Sequence, residues 1–195
     1  MANPIPLQSR QYYHIYNRGN NKEPLFLETR NYAYFLKLYA KYINPVAETY
    51  AYCLLSNHFH LLVRIKDCQS FEDWQSLTPS RAFSNLFSTY TKAFNKAYER
   101  TGSLFEKPFK RNIITDNQYL LHLITYIHCN PQKHGFVDNF RDWPYSSYKL
   151  FTSNEKTSIQ RNEVLDWFGG KMGFEDAHTE EIAESTIGTL IADDW

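Results

Sequence analysis

The stretch "LLSNHFHLLVRI", residues 54–65, places two histidines one residue apart in a segment that is otherwise mostly apolar. Successive side chains of a β-strand point to opposite faces of the sheet, so His58 and His60 share one face and the apolar residues that alternate with them share the other. The two imidazoles can therefore converge on one point. On residue type alone, that point is open to three interpretations: a metal ion, a phosphate, or only a hydrogen-bonded surface.

The segments on either side of this strand predict the fold. Hydrophobic spacing and turn residues predict an element order of β-α-β-β-α-β-α. This order is the split β-α-β arrangement of a ferredoxin-like α+β fold, which we expect to form one antiparallel sheet with helices packed on one face. The predicted elements are a strand in "QYYHIYNRGNN" (11–21), a helix over 28–42, a hairpin of "TYAYCLLS" and "HFHLLVRI" that turns at Ser56 and Asn57, a helix capped by Ser80, a strand in "FKRNIIT" (109–115), and a helix capped by Asp116 or Asn117 that stops before Pro131.

Length and composition set the broad class of the protein. With 195 residues, 43% of them hydrophobic, the chain is long enough to bury a core, and we expect one domain with an appendage. No apolar run approaches the roughly 18 residues of a membrane span, and "MANPIPLQSR" lacks the apolar centre of a signal peptide, so we expect a cytoplasmic location and no membrane partner. Cys53, Cys68 and Cys129 show no C-x-x-C spacing, which favours reduced packing residues over zinc ligands.

Charge is distributed unevenly along the chain. Residues 1–150 carry 18 Lys and Arg against 11 Asp and Glu, a net charge of +7, whereas residues 151–195 carry 3 against 10, a net charge of −7. The basic part predicts a polyanionic partner. The acidic part predicts either a solvated, mostly helical extension or a mimic of that partner.

The last predicted helix carries polar residues that could complete a site with the histidines. His122, Tyr126 and Asn130 follow one another at four-residue spacing and share one face of the helix. If that face points toward the histidine pair, a phenol can supply a nucleophile and an amide carbonyl can supply a third metal ligand. Tyr119 competes with Tyr126 as the nucleophile, but it lies three turns from Asn130 whereas Tyr126 lies one turn away.

These residue types suit attack on a phosphodiester. A covalent phosphotyrosine preserves the energy of the broken bond, and an incoming 3′-hydroxyl can use it. A tyrosine nucleophile therefore predicts strand transfer in preference to hydrolysis, with a divalent ion to neutralise charge on the phosphate.

Several motifs of the chain resemble a known family. "HFH" resembles the HUH motif of single-tyrosine transposases of the insertion-sequence type, and "YIHCNPQKHGFV" (126–137) resembles the tyrosine helix of the REP-associated tyrosine transposase branch. "YHIYNRGNN" (13–21), "GSLFEKPFK" (102–110) and "DWPYSSYKLF" (142–151) extend the resemblance over roughly residues 10–151, and "VLDWFGG" (164–170) continues it more faintly.

The resemblance implies a metal-dependent endonuclease and strand transferase that acts on single-stranded DNA folded into hairpins. Tyr126 would be the catalytic residue and would form a 5′-phosphotyrosine, while His58, His60 and Asn130 would hold Mg²⁺ or Mn²⁺. It also implies a transposase domain over residues 1–150. The charge pattern predicts an acidic extension over 151–195, and we expect a monomer in preference to a homodimer. The candidates for DNA binding are Arg18, Lys107, Lys110 and Arg111, and His122 is a possible supporting residue.

Three other functions share parts of this pattern. A replication or transfer initiator has the same histidine pair and tyrosine, but this chain has no room for a helicase domain. A metal-dependent hydrolase usually places several carboxylates around its ion, and these motifs contain none. A domesticated transposase kept only for DNA binding is the non-enzymatic alternative. His128 and His134 are expected at the surface or facing DNA.

Overall fold

A computed structural model describes residues 5–67 and 78–179 of the chain. In this part the strands and helices follow the predicted order, with three short helices after the last long one. The strands are β1 (Tyr12–Arg18), β2 (Ala47–Leu54), β3 (His58–Ile65) and β4 (Lys110–Ile114), and the helices are α1 (Thr29–Tyr42), α2 (Pro79–Ala97), α3 (Asn117–Lys133), α4 (Tyr148–Thr152), α5 (Arg161–Trp167) and α6 (Lys171–Ala177).

The four strands form one sheet in the order β2-β3-β1-β4, and every neighbouring pair is antiparallel. This order confirms the ferredoxin-like α+β fold. The register between β1 and β3 places Tyr16 opposite His60 and Arg18 opposite His58. The first strand therefore runs directly beside the histidine pair.

The helices cover both faces of the sheet, which differs from the predicted packing on one face. Helices α1 and α2 pack on the face that carries Phe59, Leu61 and Val63. Helix α3 packs on the opposite face, beside Leu62 and the two histidines. The reason is the composition of β3, in which every residue except Arg64 is buried, so both faces need a covering layer.

Helix α2 begins differently from the prediction. Its cap is Thr78 and not Ser80: the Thr78 hydroxyl accepts a hydrogen bond from the Arg81 amide at 3.3 Å. Pro79 then occupies the first helical position, where its missing N–H costs nothing. The proline therefore fixes the start of the helix two residues before the predicted one.

Helix α3 begins as predicted but extends further. Asp116 caps it by accepting a hydrogen bond from the Tyr119 amide at 2.7 Å. The predicted stop before Pro131 is wrong, because the helix continues to Lys133 with the proline inside its last turn. A proline this close to the end removes one backbone hydrogen bond but leaves few turns to disrupt.

The segment after Leu150 packs against the histidine-bearing face of the sheet. Trp167 of α5 stacks on Tyr50 with ring centroids 5.1 Å apart, and Glu163 accepts a hydrogen bond from the Tyr50 hydroxyl at 2.8 Å. Val164 and Phe174 are fully buried in the same core. The division into domains at residue 150 stays a prediction, and residues 180–195 lie outside the described part.

Two further sequence predictions concern the cysteines and membrane spans. Cys53 is buried, Cys129 is half-buried and both are free thiols, as expected for packing residues, while Cys68 lies outside the described residues. Over residues 5–67 and 78–179, no helix combines the length and apolar character needed to cross a membrane.

Candidate active site

The hairpin and helix α3 bring His58, His60 and Tyr126 together on one face of the sheet. The His58 and His60 rings have centroids 5.3 Å apart with an interplanar angle of 88°. The Tyr126 ring lies edge-on to His60 with a centroid separation of 5.6 Å. All three side chains are buried, and Tyr126 keeps 9% of its surface exposed. A phenol and two imidazoles therefore share one small volume.

Asn130 lies one helical turn after Tyr126 on α3. Its side chain is fully buried, and Nδ2 donates a hydrogen bond to the Tyr126 carbonyl at 2.9 Å. Its Oδ1 atom is buried and has no hydrogen-bond partner among the described residues. A buried carbonyl oxygen without a partner costs free energy, so this atom is suited to accept a ligand that the protein itself does not provide.

The surroundings of the two histidines keep both rings neutral. Burial, together with the nearby positive charges of His134 and Arg18, lowers the pKa of His58 to about 3. Burial, followed by the effects of the neighbouring histidines, holds the pKa of His60 well below its usual range. A neutral imidazole has a lone pair on one nitrogen, which is the form that binds a metal ion.

The hydrogen bond of His58 fixes which nitrogen holds that lone pair. Its Nδ1 atom is 2.7 Å from Oδ1 of Asn57, and because a carbonyl oxygen only accepts, Nδ1 carries the proton. Nε2 of His58 is then the atom that can bind a ligand. Metal-binding histidines commonly donate their second N–H to a carbonyl group in this way.

Two imidazoles and one amide oxygen fit a divalent ion with open coordination positions. Within the described part of the chain, no three His, Cys, Asp or Glu side chains form a group that could hold a metal. The amide oxygen of Asn130 stays the predicted third ligand of such an ion.

His14, Tyr16 and His134 border the site, and sequence analysis did not assign them to it. Nε2 of His14 is 2.9 Å from Nδ1 of His60, and the Tyr16 ring centroid is 4.6 Å from that of His14. The exposed His134 lies beside His58 with ring centroids 4.9 Å apart. The alternation of side chains in β1 predicted that His14 and Tyr16 share one face of the sheet. It did not predict which strand lies beside β1, so their position next to the site was not expected.

The basic candidates for DNA binding divide between the two faces of the sheet. Arg18 lies opposite His58 and donates a hydrogen bond from Nε to a Glu106 carboxylate oxygen at 2.6 Å. Lys110 pairs with Tyr16 across the strands and therefore shares the face of the site. Lys107 is exposed in the segment just before β4.

Arg111 lies on the opposite face and is not brought to the site. It pairs with Ile15, whose side chain belongs to the core under α1 and α2. Its guanidinium lies 3.8 Å from the Phe109 ring centroid, and it donates a hydrogen bond to the Ser80 hydroxyl at 3.0 Å. Consecutive strand residues point to opposite faces, so Lys110 and Arg111 cannot both face the site.

The two other candidates on α3 are Tyr119 and His122. Tyr119 is half-buried against the core of the histidine-bearing face, and burial raises its pKa. His122 is partly exposed, and its carbonyl accepts a hydrogen bond from the Thr125 hydroxyl at 2.8 Å. A supporting role for His122 stays a prediction.

His128 is fully buried, so its expected place at the surface is wrong. The Phe174 carbonyl can only accept, so His178 donates from Nδ1 at 2.7 Å and its Nε2 accepts from Nδ1 of His128 at 2.8 Å. Nε2 of His128 in turn accepts from the Ser147 hydroxyl at 2.7 Å. These hydrogen bonds join α3 to α6, a helix that the sequence did not place, and they satisfy the buried imidazoles.

The buried His178 should make stability depend on pH. Burial lowers its pKa to about 4, with the charge of Arg141 adding to this effect and the Phe174 carbonyl opposing it. Because an unfolded histidine has a pKa near ~6.5, the unfolded chain binds more protons below that pH. We expect the free energy of unfolding to fall as pH drops from about 6.5 to 4, by up to about 1.4 kcal/mol per pH unit from this residue.

Thermal unfolding at several pH values checks this expectation. His178→Gln keeps an acceptor for His128 but does not titrate, so its melting temperature should fall less steeply with acid than that of the wild type. If the melting temperature falls equally steeply with acid in both proteins, His178 is not the titrating group.

Comparisons with known proteins show what this chain resembles in sequence and in fold. No protein-family model matches the chain. A curated protein from Haemophilus influenzae described as "Putative REP-associated tyrosine transposase" is 31% identical over 103 residues, which are 52% of this chain and 58% of that protein. The chain thus spans a little over half the length of this relative.

A solved structure extends the likeness to the fold. It is titled "Structure of the REP associates tyrosine transposase bound to a REP hairpin" and matches with a TM-score of 0.63 and 19% identity, covering 79% of this chain and 86% of that one. The chain is similar to REP-associated tyrosine transposases. The resemblance seen in the motifs is confirmed by these comparisons.

Proposed function

We propose that this protein is a DNA endonuclease and strand transferase that acts on hairpin-containing single-stranded DNA through a covalent tyrosyl intermediate. The observation that carries the proposal is the edge-on contact of Tyr126 with His60, beside His58, on one face of the sheet. The similarity to a curated transposase and to a structure that holds a DNA hairpin supports the same function.

Tyr126 is the proposed nucleophile. Its phenol oxygen forms a bond to the scissile phosphorus, the bond from phosphorus to the 3′-oxygen breaks, and the 5′-phosphate stays on the tyrosine. One proton leaves the phenol, and one is taken up by the departing 3′-oxygen. An incoming 3′-hydroxyl reverses this exchange and frees Tyr126, so the phosphodiester energy is conserved.

His58, His60 and Asn130 are the proposed ligands of Mg²⁺ or Mn²⁺. When bound, the ion would neutralise charge on the scissile phosphate. Magnesium prefers oxygen ligands, whereas two of these three donors are imidazole nitrogens. We therefore expect tighter binding of Mn²⁺ than of Mg²⁺, by roughly tenfold or more, measured by calorimetric titration of the full chain with each ion. Equal affinities would contradict the proposed ligand set.

The proposed DNA partner meets the protein on the face of the site. Arg18 and Lys110 share that face, and Lys107 is exposed in the segment before β4, which supports phosphate contacts by these three residues. Arg111 is less suited because its guanidinium packs on the other face. We also propose that the protein is a monomer and that it is located in the cytoplasm.

One assay tests the proposal against its alternatives. A labelled single-stranded hairpin is incubated with the protein and Mn²⁺, and denaturing electrophoresis detects a covalent protein–DNA adduct. The strand transferase gives an adduct that a second 3′-hydroxyl strand resolves. A hydrolase gives cleavage without adduct, and a domesticated DNA-binding protein gives a shift on native gels alone. A replication or transfer initiator also gives an adduct, but without preference for hairpins.

A further inference from the structure

His14 makes a buried hydrogen bond to one of the two histidines of the site. His14 lies on β1 and His60 on the neighbouring β3, and both are fully buried. Nε2 of His14 is 2.9 Å from Nδ1 of His60, and the two ring planes differ by 19°. This contact engages Nδ1 of His60, which leaves Nε2 as the nitrogen that can bind an ion.

The direction of this hydrogen bond decides whether Nε2 of His60 can be a ligand. A histidine binds a metal ion as a neutral ring, and a neutral ring carries one N–H. If His60 donates from Nδ1, its Nε2 atom keeps a lone pair. If His14 donates instead, His60 must carry its proton on Nε2, and the lone pair on that side is lost. The two tautomers are therefore mutually exclusive at this contact.

The tautomer of His58, the other proposed histidine ligand, is not ambiguous in this way. His58 donates to an amide carbonyl, which can only accept, so its tautomer is fixed by its partner. Metal-binding histidines usually have a carboxylate, carbonyl or water in this position. His60 has an imidazole there, and an imidazole can either accept or donate.

We propose that His14 is a positioning residue: it accepts the Nδ1 proton of His60 and thereby holds Nε2 of His60 in the tautomer that binds the divalent ion. This inference rests on the proposed function, because it needs His60 to be a metal ligand. It assigns to the "YHIY" segment of β1 (13–16) a role in tuning the site, where spacing alone predicted only a strand.

Mn²⁺ binding to the full chain without DNA tests the proposal, with the electron paramagnetic resonance signal of free Mn²⁺ as the readout. His14→Leu removes the acceptor at similar volume and should weaken binding roughly 10–100-fold. His14→Gln supplies an amide oxygen near the position of Nε2 and should restore binding to within a few fold of the wild type. Tyr34→Leu, which changes an exposed ring on α1 outside the proposed site, is the control and should bind like the wild type.

A second measurement needs no variant and so does not depend on the folding of His14→Leu. Long-range proton–nitrogen correlation spectra of the metal-free wild-type protein report which ring nitrogen of each histidine is protonated. We expect a protonated Nδ1 and an unprotonated Nε2 on His60. A proton on Nε2 would overturn the proposal, as would unchanged Mn²⁺ affinity in a folded His14→Leu variant.

His60→Ala separates failure of this inference from failure of the metal site. If His60→Ala loses Mn²⁺ binding while His14→Leu keeps it, only the role of His14 is wrong. If His60→Ala binds Mn²⁺ as tightly as the wild type, the metal site itself is wrong, and the role of His14 is overturned with it.

Discussion

Tyr126→Phe is expected to reduce the covalent protein–DNA adduct to background. The change removes only the hydroxyl oxygen that attacks phosphorus, and the ring can keep its edge-on contact with His60. Loss of a nucleophile typically costs several orders of magnitude in rate, on the order of 10⁴ or more. The measurement is the adduct band on denaturing gels with a labelled hairpin and Mn²⁺.

Tyr119→Phe is the matched control for this change. Tyr119 lies on the same helix, is half-buried where Tyr126 is buried, and loses the same atom in the substitution. It should form adduct at the wild-type rate. If Tyr119→Phe abolishes the adduct and Tyr126→Phe retains it, the assignment of the nucleophile is reversed.

The double change His58→Ala/His60→Ala is expected to abolish adduct formation with either metal. The two rings supply both nitrogen donors of the proposed site, and their loss leaves Asn130 as its one remaining proposed ligand. Loss of charge stabilisation at the phosphate is worth several kcal/mol, which corresponds to about a hundredfold or more in rate.

Native gels with the same hairpin provide the control for the double change. DNA binding through the basic residues should persist, because phosphate contacts do not require the histidines. If the variant that lacks both imidazole rings forms adduct at the wild-type rate, the proposed role of His58 and His60 as metal ligands in the reaction is wrong. A loss of adduct that is accompanied by loss of DNA binding would indicate misfolding, and a circular dichroism melt distinguishes that case.

Much of the fold and the centre of the site could be predicted from local pattern. Alternation in "HFHLLVRI" placed His58 and His60 on one face because the side-chain period of a strand is two, and the structure has the same arrangement. The four-residue spacing of Tyr126 and Asn130 predicted a shared helical face, and the structure joins them by a hydrogen bond. Element order was enough to predict the sheet.

The features that were missed depend on packing between elements. Two faces of β3 are buried, so α3 covers the face opposite α1 and α2, which element order alone does not reveal. The position of His14 beside His60 follows from sheet order and register, not from the local sequence of β1. His128 is buried because α6 covers it, and that helix could not be placed from the sequence.

Arg111 differs from Lys110 in the face of the sheet that it occupies. It was grouped with Lys110 because both are positively charged, although consecutive strand residues point to opposite faces. Phe109 and Arg111 are two residues apart in the sequence, so they share the face of the strand that Lys110 does not. The structure accordingly places Arg111 over the Phe109 ring. Charge alone was given too much weight there.

Mass spectrometry of the adduct tests the central claim most directly, because it identifies the atom group that attacks DNA. Trypsin should release residues 112–133 as one peptide, which contains both Tyr119 and Tyr126, so fragment ions must locate the attached nucleotide. We expect a 5′-phosphonucleotide on Tyr126 in the wild-type protein. A nucleotide on Tyr119 or on any other residue would contradict it.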